Sequence, residues 1–328
     1  MQFSMQKSQF GRYTLELTLP KASTSVPQQK IDPMNEPANA RNKAKVNRMM
    51  NILDLEQIEV DCYQGKSPQD GWQRVYGGQV ISQALVAASR TIEGRAAHSL
   101  HAYFLRPGDP AIPLVYKVER VRDGRSFCLR RVVAFQNDLE IFTMSASYQS
   151  DELGMEHQID MPDVPGPDEL MGEAEMKALM LSQPDVPASV KRYWERDRPV
   201  ELRPVNIKHY VSRDQQPPKQ YIWIRSSSPL PDNQALHKGA LAYMSDMTLL
   251  DTSLFVHGMN MFNGNIQMAS LDHAMWFHRS FDAHEWMLYA QDSPSSSDAR
   301  GFCRGTLFNT DGTLIASVAQ EGLIRKIA

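Results

Sequence analysis

A chain of 328 residues, 42% hydrophobic and 22% charged, is too apolar to be mainly disordered, and with three cysteines it is no small disulfide scaffold. Its 35 basic and 38 acidic residues leave a net charge of −3, so it has no global cationic footprint for nucleic acid. Cys62, Cys128 and Cys303 form no CxxC pair, and the odd count fits a reducing compartment. No window holds about 18 consecutive apolar residues, so no membrane insertion is expected.

Residues 1–49 are rich in Gln, Ser, Lys and Pro and sustain no apolar period, apart from a strand-like island at Leu15–Pro20. They read as a disordered N-terminal extension. The basic, acid-poor start allows a mitochondrial transit peptide as a second reading, although the stretch is not convincingly amphipathic. Met34 or Met49 would serve equally as the start of translation. The terminal "LIRKIA" is not a peroxisomal tripeptide, and a bacterial-type cytoplasmic location is expected.

From about Met50 one pattern is written twice. A segment from Phe104 and another from Phe277 each open with Phe-x-Arg and carry an Asp three residues beyond that Arg. Each also contains Arg-x-Phe-Cys, at Arg125–Cys128 and Arg300–Cys303. The offset is 173 at the phenylalanines and 175 at the cysteines, so a small insertion separates two copies of a duplicated unit. Before each copy lies an apolar stretch with helical spacing, Gly78–Ser89 and Ala235–Leu250. Gly77-Gly78 is suited to opening the first helix. Both helices carry few charges, so each is expected to be wrapped by other structure.

The strands expected after the first helix are His98–Leu105, Leu114–Val121, Phe127–Phe135 and Glu140–Tyr148, with turns at Asp123-Gly124 and Asn137-Asp138. After the second they are Gln267–Phe277, Trp286–Asp292, Gly301–Phe308 and Thr313–Ala319, with a hairpin turn at Asp311-Gly312. Strands in sequence joined by hairpins, with one buried helix per sheet, give an α+β architecture of two tandem units. The units are placed at 50–150 and 199–328. Residues 151–198 form a Pro-rich linker with helical stretches at Glu173–Leu181 and Val190–Arg196.

The segments "VYGGQVISQALVAA" (Val75–Ala88), "HSLHAYFLRPGDP" (His98–Pro110), "RDGRSFCLRRVVAFQN" (Arg122–Asn137), "SLDHAMWFHR" (Ser270–Arg279), "SSSDARGFCRG" (Ser295–Gly305) and "AQEGLIR" (Ala319–Arg325) resemble the acyl-CoA thioesterase II (TesB-like) family. The resemblance covers nearly everything from Met50 to Arg325. It implies a double hotdog, two tandem antiparallel sheets each wrapped around a central apolar helix. It also implies hydrolysis of fatty acyl-CoA to free acid and CoA, with no cofactor and no metal. A carboxylate, a hydroxyl and a glutamine organise the hydrolytic water in that family. The matching positions are Asp246, Ser270 and Gln320, all in the second copy. The first copy has no acid at the comparable place, so one active site per double hotdog is expected, with an acyl-CoA partner and a homo-oligomer, dimer or tetramer.

Local sequence gives each of these residues a plainer reading as well. Asp246 sits in an apolar stretch, where a carboxylate is costly unless hydrogen-bonded or protonated. It is either an N-cap for the turn that follows or a functional acid. Taken alone, Ser270 is a small strand residue and Gln320 an exposed strand polar. His273 and Asp272 are candidates for site support, with a half-buried strand histidine as the alternative. His273, His278 and His284 lack the HExxH or Cys/His company of a metal site. Cys128 and Cys303 read as core, and the 18 methionines either fill core or line an adaptable acyl pocket. No GxSxG elbow, GxGxxG or Walker A pattern occurs. The rival functions are a hotdog enoyl-CoA hydratase and a non-catalytic acyl-CoA or lipid-binding module.

Overall fold

The computed structural model describes residues 5–7, 13–15, 48–69, 73–182, 186, 188–196, 198–262 and 265–327. It holds two compact units, Met1–Ala38 and Asn39–Ala328. In the first, β1 (Met5–Lys7) pairs antiparallel with β2 (Tyr13–Leu15). The rest of the extension, including most of the Leu15–Pro20 island and the expected disorder, lies outside the described residues.

The second unit opens with a helical segment, α1 (residues 48–53), and two short strands, β3 (Glu56–Glu59) and β4 (Cys62–Gly65). Then come α2 (Gly77–Ser89), β5 (Ala96–Phe104), β6 (Leu114–Asp123), β7 (Phe127–Gln136) and β8 (Leu139–Gln149). After the linker region follow β9 (Val200–Pro204), a short α5 (Lys208–Val211), β10 (Lys219–Ser226), α6 (Gln234–Ser245) and a 3₁₀ segment, Leu250–His257. The last strands are β11 (Ile266–Ser270), β12 (Asp272–Phe277), β13 (Met287–Ser297), β14 (Arg300–Asn309) and β15 (Leu314–Lys326).

All strands of this unit join one antiparallel sheet in the order β3-β4-β6-β7-β8-β5-β12-β15-β14-β13-β10-β9, with β11 extending along β15. Read outward from chain order, β4, α2, β5–β8 fall in the spatial order 1-3-4-5-2. So do β10, α6, β12–β15. The duplication seen in sequence is thus a duplication of topology. The seam is β5 against β12, with Leu100 opposite Met275 and Ala102 opposite His273. Cys128 in β7 and Cys303 in β14 take equivalent places and are buried.

The core follows from the helices. Every residue of α2 from Gly78 to Ala88 is buried, and so are most of α6. The strand faces that meet them alternate buried and open, as in β7. α2 and α6 pack directly on each other. A Cβ on Gly78 would lie 2.4 Å from the Tyr243 carbonyl, and one on Gly239 would lie 3.0 Å from Val86. These contacts pair the start of α2 with the end of α6, so the two helices run antiparallel.

The strands expected from sequence after each helix are present, but β13 runs five residues beyond the expected Asp292 and β15 seven beyond the expected Ala319, and there are three further differences. The run Gln267–Phe277 is two strands, because Leu271 turns its N–H to the Glu321 carbonyl and its carbonyl to the Phe104 N–H. Across that break the pairing slips by one residue, from Ser270 opposite Gly322 to Ala274 opposite Ala319, which is a bulge. The second helix ends at Ser245 and not at Leu250, with Asp246 as its C-cap residue. Strands β3, β4, β9 and β10 were not expected. β3 is exposed throughout and shows no alternation, and β4 is only four residues long. The Asn137-Asp138 turn has both residues at positive φ, 48° and 61°, as a two-residue hairpin turn requires.

In the linker region α3 (Glu173–Leu181) coincides with the expected stretch, its first turn closed by Glu175 accepting from the Gly172 N–H. α4 (Ala188–Glu195) starts two residues before the expected Val190. The extended part ahead of them straps the open face of the C-terminal half. Gln158 pairs with Gly312 and Leu314, and Pro165 accepts the Trp223 indole N–H at 2.9 Å. Met161 and Val164 cover Trp223, Trp286, Leu288 and Phe308.

Candidate active site

Asp246 stands where α6 ends and α2 begins. An acid at the C-terminus of its own helix meets the negative end of that helix's dipole. Its carboxylate turns instead to the start of α2 and accepts the Gly78 N–H. Tyr76, the N-cap of α2, makes no side-chain cap bond of its own. The carboxylate that caps α2 therefore comes from the other half of the molecule, and the cap reading of Asp246 holds for α2 rather than for the turn that follows it. The glycine pair makes this possible: a Cβ on Gly77 would sit 2.6 Å from Asp246 Oδ2. The end of α6 is held in turn by two phenols. Tyr76 donates to the Tyr243 carbonyl at 2.8 Å and Tyr289 to the Ser245 carbonyl at 3.0 Å, satisfying acceptors that a helix end leaves open.

Three side chains from three elements meet there. Ser270 at the end of β11 donates to Asp246 Oδ1 at 3.0 Å. Gln320 in β15 donates its two amide hydrogens to Asp246 Oδ1 at 2.7 Å and to Ser270 Oγ at 2.7 Å. Gln320 is 1% exposed, so it is not the exposed strand polar that local sequence allows. The bulge at Leu271 separates Ser270 from the regular β12 and lets its hydroxyl face the carboxylate. Burial pushes the Asp246 carboxyl up to about 6, and the bonds from Gln320, Ser270 and the Gly78 N–H hold it below where burial alone would place it.

The two supporting candidates act from a distance. His273 is fully buried, not half-buried, and its Nε2 bonds Ser245 Oγ at 2.9 Å. Burial lowers its imidazole to about 4, against a smaller upward pull from Gln320. It is therefore neutral, and it lies between the residue preceding Asp246 and the Gln320 amide. Asp272 accepts the Glu321 N–H at 2.7 Å, one residue past Gln320, and pins β15 at the bulge. Neither bonds Asp246. Among the described residues no group of three metal-ligating side chains occurs.

The first half lacks this constellation in a definable way. The C-cap of α2 is Arg90, which holds the Leu55 carbonyl and Asp54. The offset of 173 that aligns Phe104 with Phe277 sets Ala97 against Ser270. Cys128 faces Tyr148 as Cys303 faces Gln320. An arginine, an alanine and a tyrosine replace acid, hydroxyl and amide.

Asp246 and Ser270 line a cavity of about 780 Å³ between the two halves, and Gln320 is buried behind them. Phe104, Phe142, Met247, Leu250, Met261 and Met268 give it apolar walls, and Arg48, Lys66, Arg74, Arg106, Arg196 and Arg198 also line it. Sequence reasoning missed Tyr76, Tyr289 and the second carboxyl in this cavity, Asp251. The Gly77-Gly78 pair was the only one of these features that carried a visible signal.

Comparison with known proteins shows which family the chain belongs to. Residues 189–323 match the Acyl-CoA thioesterase model and residues 67–149 the model of the acyl-CoA thioesterase N-terminal domain. The chain is 37% identical to acyl-CoA thioesterase 2 of Haemophilus influenzae, over 85% of this chain and 98% of that one. It is 38% identical to human acyl-coenzyme A thioesterase 8, over 84% and 88%. The crystal structure of acyl-CoA thioesterase II TesB2 from Mycobacterium marinum superposes with a TM-score of 0.70 at 42% identity, covering 85% of this chain and 99% of that one. A hotdog-fold protein from Alicyclobacillus acidocaldarius, 17% identical, superposes with a TM-score of 0.68 over 86% and 99%, which bears on fold alone. The α+β fold is a hotdog in tandem, and the chain belongs to the acyl-CoA thioesterase II family, whose members hydrolyse the thioester of acyl-CoA.

Proposed function

We propose that Asp246, Ser270 and Gln320 activate water for attack on the thioester of a fatty acyl-CoA, with no covalent enzyme intermediate. The observation that carries this reading is the convergence of both donors on one oxygen of Asp246. With Oδ1 taken by those two donors, Oδ2 lies beside Gly77 at the start of α2, where the carboxylate also meets the Gly78 N–H, and both Asp246 and Gly77 reach the cavity wall. Water placed there gives a proton to the carboxylate as its oxygen bonds the carbonyl carbon. When the tetrahedral species collapses, the C–S bond breaks and the departing thiolate takes the proton back. Base assistance of this kind is worth about 10²–10⁴-fold. The Gly77 amide is the first of α2, has no partner among the described residues and lines the cavity. It is the donor we assign to the developing oxyanion, worth about 10²–10³-fold.

CoA carries its negative charge on phosphates. Arg48, Lys66, Arg74 and Arg106 on the N-terminal side of the cavity complement them, and the Met-rich wall of the C-terminal half suits the acyl chain. Release of free CoA from a panel of acyl-CoAs tests the proposal. A folded protein with no turnover above buffer would overturn it.

We also propose self-association as a dimer or tetramer. Tyr103, Phe127, Trp276 and Phe302 stand exposed on the sheet face opposite the helices, an apolar set suited to burial between copies. Sedimentation as a monomer at micromolar concentration would exclude it.

A further inference from the structure

Gln320 uses both of its amide hydrogens, one on Asp246 Oδ1 and one on Ser270 Oγ. Its carbonyl oxygen, Oε1, is buried and accepts no bond of ordinary geometry. His273 is left with the converse need. Its Nε2 meets Ser245 Oγ at 2.9 Å, while its Nδ1 is buried without such a bond. These two orphaned atoms belong to neighbours. β12 and β15 pair from Ala274 opposite Ala319 onward, so one step further back His273 stands opposite Gln320, and both side chains are buried. The two side chains meet in a looser contact whose sense favours a proton on the ring, as a ring N–H directed at the amide oxygen does. Buried polar atoms seldom stay unpaired, and here each offers what the other lacks.

A side-chain amide fits its place in either of two orientations, and here they differ in function. Turned over, Gln320 would set its oxygen against the Asp246 carboxylate, and Ser270 would lose a donor. The neutral ring of His273 carries one N–H, and Ser245 does not decide which nitrogen has it. The Ser245 hydroxyl donates to Nε2 in one tautomer. In the other it accepts from Nε2–H and donates to the Ala242 carbonyl, 3.0 Å away. Gln320 Oε1 does decide, since it attracts an Nδ1–H and repels a bare Nδ1 lone pair. We infer that His273 is a positioning residue, whose Nδ1–H is held toward Gln320 Oε1 and fixes the amide in the orientation that serves Asp246 and Ser270. Hydrogen bonds then run from Ser245 through His273 and Gln320 to Asp246, and the peptide bond between Ser245 and Asp246 closes the ring. The inference rests on the water-activation reading and extends it to a residue that is absent from the cavity wall.

Two measurements test it. Nitrogen–proton correlation spectra of the histidine rings in the full chain, with His273 assigned by the signals missing from His273→Leu, should show the Nδ1–H tautomer. The Nε2–H tautomer overturns the inference, whether or not the protein turns over any acyl-CoA. Steady-state kinetics come second. His273→Leu should lower kcat about 10²-fold with KM unchanged, as a displaced catalytic group does. His273→Asn sets an amide N–H close to where Nδ1 stood and should regain about tenfold of that loss, the worth of one buried hydrogen bond. In a Gln320→Leu background His273→Leu should change kcat little, because the group it positions is gone. Thermal melting checks that each variant is folded, and should His273→Leu not fold, His273→Asn supplies the assignment and the tautomer decides. Folded His273→Leu with wild-type kcat, a loss confined to KM, or an equal loss with and without Gln320 overturns the inference. Wild type without turnover overturns the water-activation reading and leaves the tautomer to decide this one.

Discussion

Asp246 is asked to be ionised in a place that resists ionisation. With its carboxyl near 6, kcat/KM should rise with pH and level off above about 6, falling about tenfold per unit below it; a rate–pH profile measures this, and a flat profile between 4.5 and 7 would contradict it. Asp246→Asn should lower kcat by about 10²–10⁴-fold with little change in KM. The same substitution should stabilise the fold. A carboxyl whose folded value lies above its unfolded value of 3.8 contributes stability only at low pH, and that contribution is lost as pH rises through about 6. The melting temperature of Asp246→Asn should therefore exceed that of wild type more at pH 7.5 than at pH 4. Ser270→Thr keeps the hydroxyl and should keep most activity, whereas Ser270→Ala leaves the carboxylate and the Gln320 amide short of a partner and should not.

At the scale of elements, the site depends on how closely two helices approach. Gly77→Ala would place a methyl against Asp246 Oδ2 and should cost activity by more than tenfold with a modest loss of stability. Gly78→Ala would press on the Tyr243 carbonyl and should cost about 1–3 kcal/mol in chemical denaturation, because there the backbone of α6 itself must move. The apolar period made both helices legible in sequence, and the hairpin signals gave β5 to β8 nearly to the residue. The end of α6 was not legible, since "MSDMTLL" continues the apolar pattern beyond Ser245 and only tertiary contacts from Tyr76 and Tyr289 show where the helix stops. The bulge at Leu271 was hidden for a similar reason: nothing local marks it, and its bonds run to Phe104 and Glu321. Asp246, Ser270 and Gln320 were singled out through family resemblance, because each has an ordinary explanation in its own neighbourhood. Asp251 had neither a motif nor a resemblance to mark it.

At the scale of the whole molecule, a sheet that runs through both halves contains one corner that brings Asp246, Ser270 and Gln320 together and one corner where Arg90, Ala97 and Tyr148 stand instead. Titration of the enzyme with a non-hydrolysable acyl-CoA analogue should saturate at one equivalent per chain, and two equivalents would contradict the assignment. The repeat itself was plain in sequence, whereas the seam between β5 and β12 was not, since a shared sheet is a matter of which edges meet.

That α2 receives its cap from Asp246 has a consequence for synthesis. A ribosome making this chain completes the glycine turn early and Gln320 late, and the corner they share cannot exist until both are in place. A product cut short of Gln320 would also lose part of β15, the strand that joins β12 to β14, so it should leave the thioester of acyl-CoA untouched.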